Sequence, residues 1–381
     1  GDMFTVSPVN NVPPGTIVPA GTMYSWPMPN LPPELTNGAT GTNNPFIYGT
    51  LINHTNVPWD AIYTVTPATS LCTGNSFILT VTVDPTPKIP NYFDTICTGE
   101  SFSISPAVNY GPDTIVPVNT KYSWPAPTAP VGLNGGVGDT NTFISGTLVN
   151  TTDVPLTAIY TVTPTSGNCP GNSFTVTVIV NPTPLVPNYD ISICSGEVFT
   201  IEPPNHPPDT IVPAGTTYTW PVPIAPNIIG GNSGLNEHNI TDTLFNQTAS
   251  VQTAIYTVVP KSGTSGNCEG PSFTITVHVN PLPIVPDLTD SVCSNEPFCV
   301  TLPLSNPNDS IIIPVGTTYS WPAPVVTGGL TGGDSVSGQS GICDTLHNPT
   351  NVIQYATYTV TPVFNGCPGE DFTVTITVFP T

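Results

Sequence analysis

Three signatures recur in one order four times along the chain, and this repetition constrains the fold more than any other feature. The first is an aromatic pair before proline: Tyr24-Ser25-Trp26-Pro27, Tyr122-Ser123-Trp124-Pro125, Tyr218-Thr219-Trp220-Pro221 and Tyr319-Ser320-Trp321-Pro322. The second runs from Ala61 to Pro67, Ala158 to Pro164, Ala254 to Pro260 and Ala356 to Pro362. The third is a Cys-x-Gly leading into an alternating run, at Cys72 with Phe77 to Val83, Cys169 with Phe174 to Val180, Cys268 with Phe273 to Val279, and Cys367 with Phe372 to Val378.

A period of about a hundred residues exceeds a solenoid unit, which spans about 20 to 50 residues, and matches one independent β-sandwich domain. Each copy is therefore expected to close its own core. The expected domains are residues 1–87 (truncated at its N-terminal side), 88–184, 185–283 and 284–381, here called modules one to four. Between them lie Pro85-Thr86-Pro87-Lys88-Ile89-Pro90, Asn181-Pro182-Thr183-Pro184-Leu185-Val186-Pro187 and Asn280-Pro281-Leu282-Pro283-Ile284-Val285-Pro286. Alternating prolines favour an extended polyproline II spacer, so the array is expected to be an extended rod.

The 49 prolines and 33 glycines among 381 residues leave little room for long helices, while Val, Ile, Thr and Tyr fill alternating, strand-like runs. The chain reads as all-β. Phe102-Ser103-Ile104 is expected as an opening strand, Tyr122-Ser123-Trp124 as a central one, and Ile159 to Thr163 with Phe174 to Val180 as a closing hairpin. In that hairpin Tyr160 and Val162 face one way, Ile159, Thr161 and Thr163 the other.

The net charge is −21, and the only cations are Lys88, Lys121 and Lys261. Binding of nucleic acid or of anionic membrane needs basic patches, so neither is an expected partner. Charged residues are only 7% of the chain, which leaves solubility to Thr, Ser, Asn and attached sugar. No apolar run is long enough to span a bilayer and no signal peptide is seen, so no membrane insertion is expected in this stretch; in a secreted protein those elements would lie outside it.

Nine cysteines are an odd number until they are laid on the repeat. Cys97 and Cys169, Cys194 and Cys268, and Cys293 and Cys367 recur at near-constant spacing, one pair per module. Cys72 is left over. Gly1-Asp2-Met3-Phe4 aligns with Gly99-Glu100-Ser101-Phe102, so its partner is expected just ahead of Gly1. The rival pairing joins Cys72 to Cys97, Cys169 to Cys194 and Cys268 to Cys293 across each linker. A last strand of seven residues at about 3.3 Å each would hold those thiols about 20 Å apart, beyond the ~7 Å that a disulfide spans between Cα atoms. Bridges within modules are therefore expected, with Cys299 and Cys343 as an extra staple in module four. Zinc sites would want CxxC-type spacing, which is absent. The implied compartment is oxidising.

Asp followed by Ser or Thr and an aliphatic residue recurs with Thr95, Thr114, Thr210, Thr243, Ser291, Ser310, Ser335 and Thr345 at the centre. Asp before Thr is ordinary turn chemistry, and repeats copy one another. The pattern also resembles the O-glycosylation motif of Bacteroidota secreted proteins, in which the central hydroxyl carries the sugar.

The Cys-x-Gly-Glu openings (Cys97-Thr98-Gly99-Glu100, Cys194-Ser195-Gly196-Glu197), the Tyr-x-Trp strand, the Tyr-Thr-Val strand and the Thr-Val-Thr-Val strand after Gly-x-Cys together resemble the PKD-like, immunoglobulin-like repeats of Bacteroidota surface proteins. These include giant gliding-motility adhesins exported by type IX secretion. Module four departs from the pattern at Cys293-Ser294-Asn295-Glu296, and the Gly-Asp-Gly turn is missing throughout. The resemblance implies four tandem Ig-like (PKD-like) β-sandwich domains displayed outside the cell, at the bacterial cell surface.

No catalytic constellation stands out. His54, His206, His238, His278 and His347 occupy no shared repeat position, and no cofactor is expected beyond covalent O-glycans. Asp139 and Asp334 lie in Gly-rich loops without calcium-loop spacing. Trp26, Trp124, Trp220 and Trp321 fit a sandwich core. Trp59 has no counterpart in the other copies and is the better candidate for a surface contact. Two functions fit: a non-catalytic extracellular stalk or fibre of a large surface adhesin or filament, or spacer and carbohydrate-binding accessory modules of a large secreted hydrolase. Expected partners are other repeats of the same chain, neighbouring copies in a fibre, and surface or glycan targets.

Overall fold

The computed structural model describes residues 1–107, 113–263, 266–306 and 309–381. Strands and loops make up all of these residues, with no α-helix among them. The chain divides into two compact units, Gly1–Pro182 and Thr183–Thr381. Each unit holds two modules, and each module has a separate apolar core.

Module two shows the plan. Its first sheet runs, in spatial order, Asp139–Asn141, Lys121–Trp124, Leu156–Ser166, Phe174–Asn181 and Tyr92–Cys97. Its second sheet is Ser101–Ile104, Ile144–Asn150 and Leu133–Gly135. The two sheets close a β-sandwich. In the central antiparallel pair, Tyr160 faces Val176 and Val162 faces Phe174. Ala158, Tyr160, Val162, Val176, Val178 and Val180 are all fully buried. Thr and Ile fill the alternate positions, because the side-chain period of a strand is two. Each buried valine contributes about 1.5–3 kcal/mol through its removal from water.

Tryptophan anchors the first sheet from inside. Trp26, Trp124, Trp220 and Trp321 are all buried. The indole N–H of Trp124 donates to the Val137 carbonyl at 3.1 Å, and those of Trp26 and Trp220 donate to Ala39 and Asn232.

One strand was not expected. Tyr92–Cys97, Tyr189–Cys194 and Leu288–Cys293 each lie parallel to the last strand of their own module. In the sequence these segments look like continuations of the proline spacer, because Asp and Thr interrupt their alternation. The spacers themselves also differ from free polyproline. Lys88 and Ile115 exchange two backbone hydrogen bonds of 2.9 Å, and Leu185 with Ile211 and Ile284 with Ile312 do the same. Ile89, Val186 and Val285 then enter the cores of modules two, three and four. The spacer is thus the first layer of the module that follows it.

Candidate functional site

The places where one module meets the next carry the chemistry of this chain. In the second unit Cys194 of module three is bonded to Cys367 of module four, with Cα atoms 5.5 Å apart and a sequence separation of 173. This overturns the expected Cys194–Cys268 and Cys293–Cys367 bridges. Cys293 and Cys169 are free thiols, as is Cys72, so the expected Cys97–Cys169 bridge is overturned too, and so is every pair across a linker. Cys97 and Cys268 are not free. Cys299 and Cys343 are bonded to each other, and they face one another across two antiparallel strands of module four.

The parallel strand explains the correction. A cysteine early in a module would lie at that module's near pole if the chain ran straight from the spacer into the first sheet-forming strand. Instead, the six residues Tyr189–Cys194 cross the whole domain, about 20 Å at 3.3 Å per residue, and leave Cys194 opposite Asn280, at the far end of the last strand. The cysteine in the last hairpin of module four stays at its own near pole. The two thiols therefore meet at the junction between modules.

Polar groups and close backbone contact complete that junction. Asn365 of module four donates to the Asn280 side chain at 3.0 Å, and Asn280 donates to the Ile193 carbonyl at 3.2 Å. Gly369, two residues after Cys367, lies so near the Pro283 carbonyl that a Cβ there would overlap it, and Gly270 and Gly171 stand in the same relation to Pro184 and Pro87. Glycine at this place lets the hairpin tip press on the preceding spacer. In the first unit, Asn56 of module one accepts from the backbone N–H of Val116 in module two at 2.5 Å.

The residues singled out for sugar attachment divide by exposure. Thr95, Ser291, Ser310, Ser335 and Thr345 are exposed, Thr114 and Thr243 are half-buried, and Thr210 is buried. Some of the aspartates have inward roles. Asp242 accepts from the Tyr256 hydroxyl at 2.9 Å and from the Asn232 N–H, and Asp344 accepts from the Tyr358 hydroxyl at 3.0 Å. Trp59 is half-buried against the core of module one, and its indole N–H donates to Thr55 at 3.0 Å. It lines a shallow cleft with Asn30, Pro32 and Asp60. Asp139 and Asp334 are exposed. Among the described residues no three His, Cys, Asp or Glu side chains gather to hold a metal ion.

A repeated asparagine was missed. Asn53, Asn150, Asn246 and Asn348 are buried in modules one to four. The Asn246 amide donates to the Ser250 and Val279 carbonyls, both at 2.8 Å, and its oxygen accepts from the N–H and hydroxyl of Thr248. Each copy thereby ties the middle of the second sheet to the last strand of the first. The Asn-x-Thr spacing in all four copies was the available signal.

Tandem β-sandwiches joined through their ends define a modular repeat protein. A PKD-like domain model matches residues 7–87, 94–184, 191–283 and 290–381. The chain belongs to the PKD-like domain family. No curated protein sequence matches it. Among solved structures it is similar to the human desmocollin-1 ectodomain, with 12% identity and a TM-score of 0.25 over 94% of this chain and 74% of that one. It is also similar to Drosophila N-cadherin EC1-4, with 10% identity and a TM-score of 0.27 over 96% and 93%. For mouse cadherin-23 EC22-24 the values are 16% and 0.25 over 78% and 100%.

Proposed function

We propose that this chain is a non-catalytic extracellular repeat region of a large bacterial surface adhesin or filament, serving as a stiff, disulfide-stapled stalk. The observation that carries this reading is the covalent joint between Cys194 and Cys367. A bridge that joins neighbouring domains resists peeling them apart, which matters in a load-bearing array and is of little use to a loose spacer. Such bridges persist in oxidising surroundings, in keeping with display outside the cell. A net charge of −21 with three cations suits repulsion between neighbouring stalks more than adhesion to anionic surfaces. Contacts with glycans or surfaces would then be weak and multivalent along the repeats.

Two measurements test the reading. Small-angle scattering of the purified chain is expected to give a maximum dimension of roughly 130 to 160 Å, four modules end to end at about 3.3 Å per strand residue; a particle of half that length overturns the stalk. Antibodies against the chain are expected to label intact cells of the source organism, and labelling that requires lysis overturns the surface location.

A further inference from the structure

Module one has an open sheet edge where modules two to four have a covered one, and a free thiol of module two lies at its end. Its last strand, Phe77–Val83, pairs with the long strand Trp59–Ala68 and forms the edge of its sheet. In modules two to four the matching edge is covered by a parallel six-residue strand ending in cysteine. Its inward positions are then fully buried, whereas Phe77, Leu79, Val81 and Val83 stay half-exposed. At the far end of that open edge, Cys169 of module two lines a cleft with Gly1, Asp2, Val83, Asp84 and Thr86 of module one. Cys169 holds the place in its hairpin that Cys367 holds in module four, and Cys367 is bonded to the cysteine two residues ahead of Gly196. Gly196 is the counterpart of Gly1.

We propose that the free edge of Phe77–Val83 and the thiol of Cys169 form one docking site, whose occupant is a parallel strand of the Tyr189–Cys194 kind that ends in a cysteine bonded to Cys169. Strand addition supplies backbone hydrogen bonds along the edge and covers its apolar positions. Joining the thiols is a two-electron oxidation that releases two protons and forms one S–S bond, with a disulfide reagent such as oxidised glutathione as the oxidant, reduced to two thiols. The neighbourhood of Cys169 suits a structural half-bridge more than a redox centre. Burial first, then the Asp84 and Asp2 carboxylates, push its thiol pKa up, and a protonated thiol is a poor nucleophile.

The test adds residues 189–195 as a seven-residue leader before Gly1 of the full chain, refolded in a glutathione redox buffer. Non-reducing peptide mapping is expected to find the leader cysteine joined to Cys169, with Cys72 and Cys293 still free. A bridge from the leader to Cys72, or a leader cysteine left free beside a free Cys169, overturns the proposal. A second leader with serine in place of its cysteine separates docking from bonding. Hydrogen exchange at Phe77–Val83 is expected to slow at least tenfold with either leader, and an unchanged rate with both overturns the docked strand.

Discussion

Inside module three the hydroxyl of Tyr256 donates to Oδ2 of Asp242 at 2.9 Å. In module two the matching Tyr160 hydroxyl has no partner, because Gly146 takes the aspartate's place and a Cβ there would sit 3.0 Å from that oxygen. One fold thus holds its central tyrosine in two ways, polar in modules three and four and purely by packing in modules one and two. The polar version is the one open to disruption by a single change. Asp242→Ala would leave the Tyr256 hydroxyl and the Asn232 N–H without their acceptor. A hydrogen bond to a charged group contributes about 1.5–3 kcal/mol, so module three is expected to lose about 2–4 kcal/mol. Hydrogen exchange of the strand Ile240–Asn246 reads this loss, with module two unchanged in the same molecule as the control.

The buried tyrosines also set an alkaline limit. Burial pushes Tyr160 up to about 12, and burial followed by neighbouring Tyr92 and Tyr189 does the same for Tyr122 and Tyr218 respectively. A phenol whose pKa is higher in the folded state than its ordinary 10 stabilises the fold fully below pH 10. Above it the unfolded chain sheds its protons first, so stability falls as pH rises from 10 towards 12. Urea midpoints are expected to be flat from pH 7 to 9 and to fall between pH 10 and 12. Tyr160→Phe should weaken that fall, and a urea midpoint that holds through pH 12 would count against it.

The cores of these modules were legible because they obey a two-residue period: Tyr160, Val162, Val176 and Val178 alternate with Thr and Ile, and all face inward. The bridges were not legible, because they depend on where Tyr189–Cys194 runs. That segment is short, carries Asp190 and Ser192, and follows prolines, so nothing local marks it as a strand. Its parallel partner, Phe273–Asn280, lies more than eighty residues away. A strand crossing a domain moves its last residue by the full width of that domain, which exchanges a bridge within a module for one between modules.

Asn246 is expected to be among the most sensitive positions in module three. Its amide donates twice and its oxygen accepts twice, all within a buried site. Asn246→Ala removes the amide donors to the Val279 and Ser250 carbonyls and the acceptor of the Thr248 N–H, and should cost about 2–4 kcal/mol. Asn246→Asp keeps the acceptor and removes both donors, so it should not restore stability. The same burial means that the Asn-x-Thr spacing here serves the fold, and no sugar is expected on Asn53, Asn150 or Asn246.

If the exposed Asp-Ser/Thr sites carry O-glycans, attachment should follow access to the hydroxyl. Thr95, Ser291, Ser310, Ser335 and Thr345 are open to a transferase, and Thr210, at 9% exposure, is closed. Intact-mass measurement on protein from its native source is expected to show sugar increments, and peptide mapping should place them on the exposed hydroxyls. A bare mass removes glycosylation as the source of solubility, and sugar on Thr210 would require a modification made before folding.

The junction bridge should show itself most directly under force. Closing a loop of 173 residues restricts the unfolded chain enough to stabilise the fold by about 5 kcal/mol in the chain-entropy model. When the oxidised chain is pulled from its two ends, tension passes through sulfur at Cys194 and Cys367 and bypasses the residues between them. At about 3.6 Å per extended residue, at least ~600 Å of contour length is withheld. Single-molecule pulling is expected to recover that length only after reduction, with modules three and four then yielding at lower force. Matching force curves for the oxidised and reduced chains would mean that the bridge carries no load, and would remove the mechanical argument for a stalk.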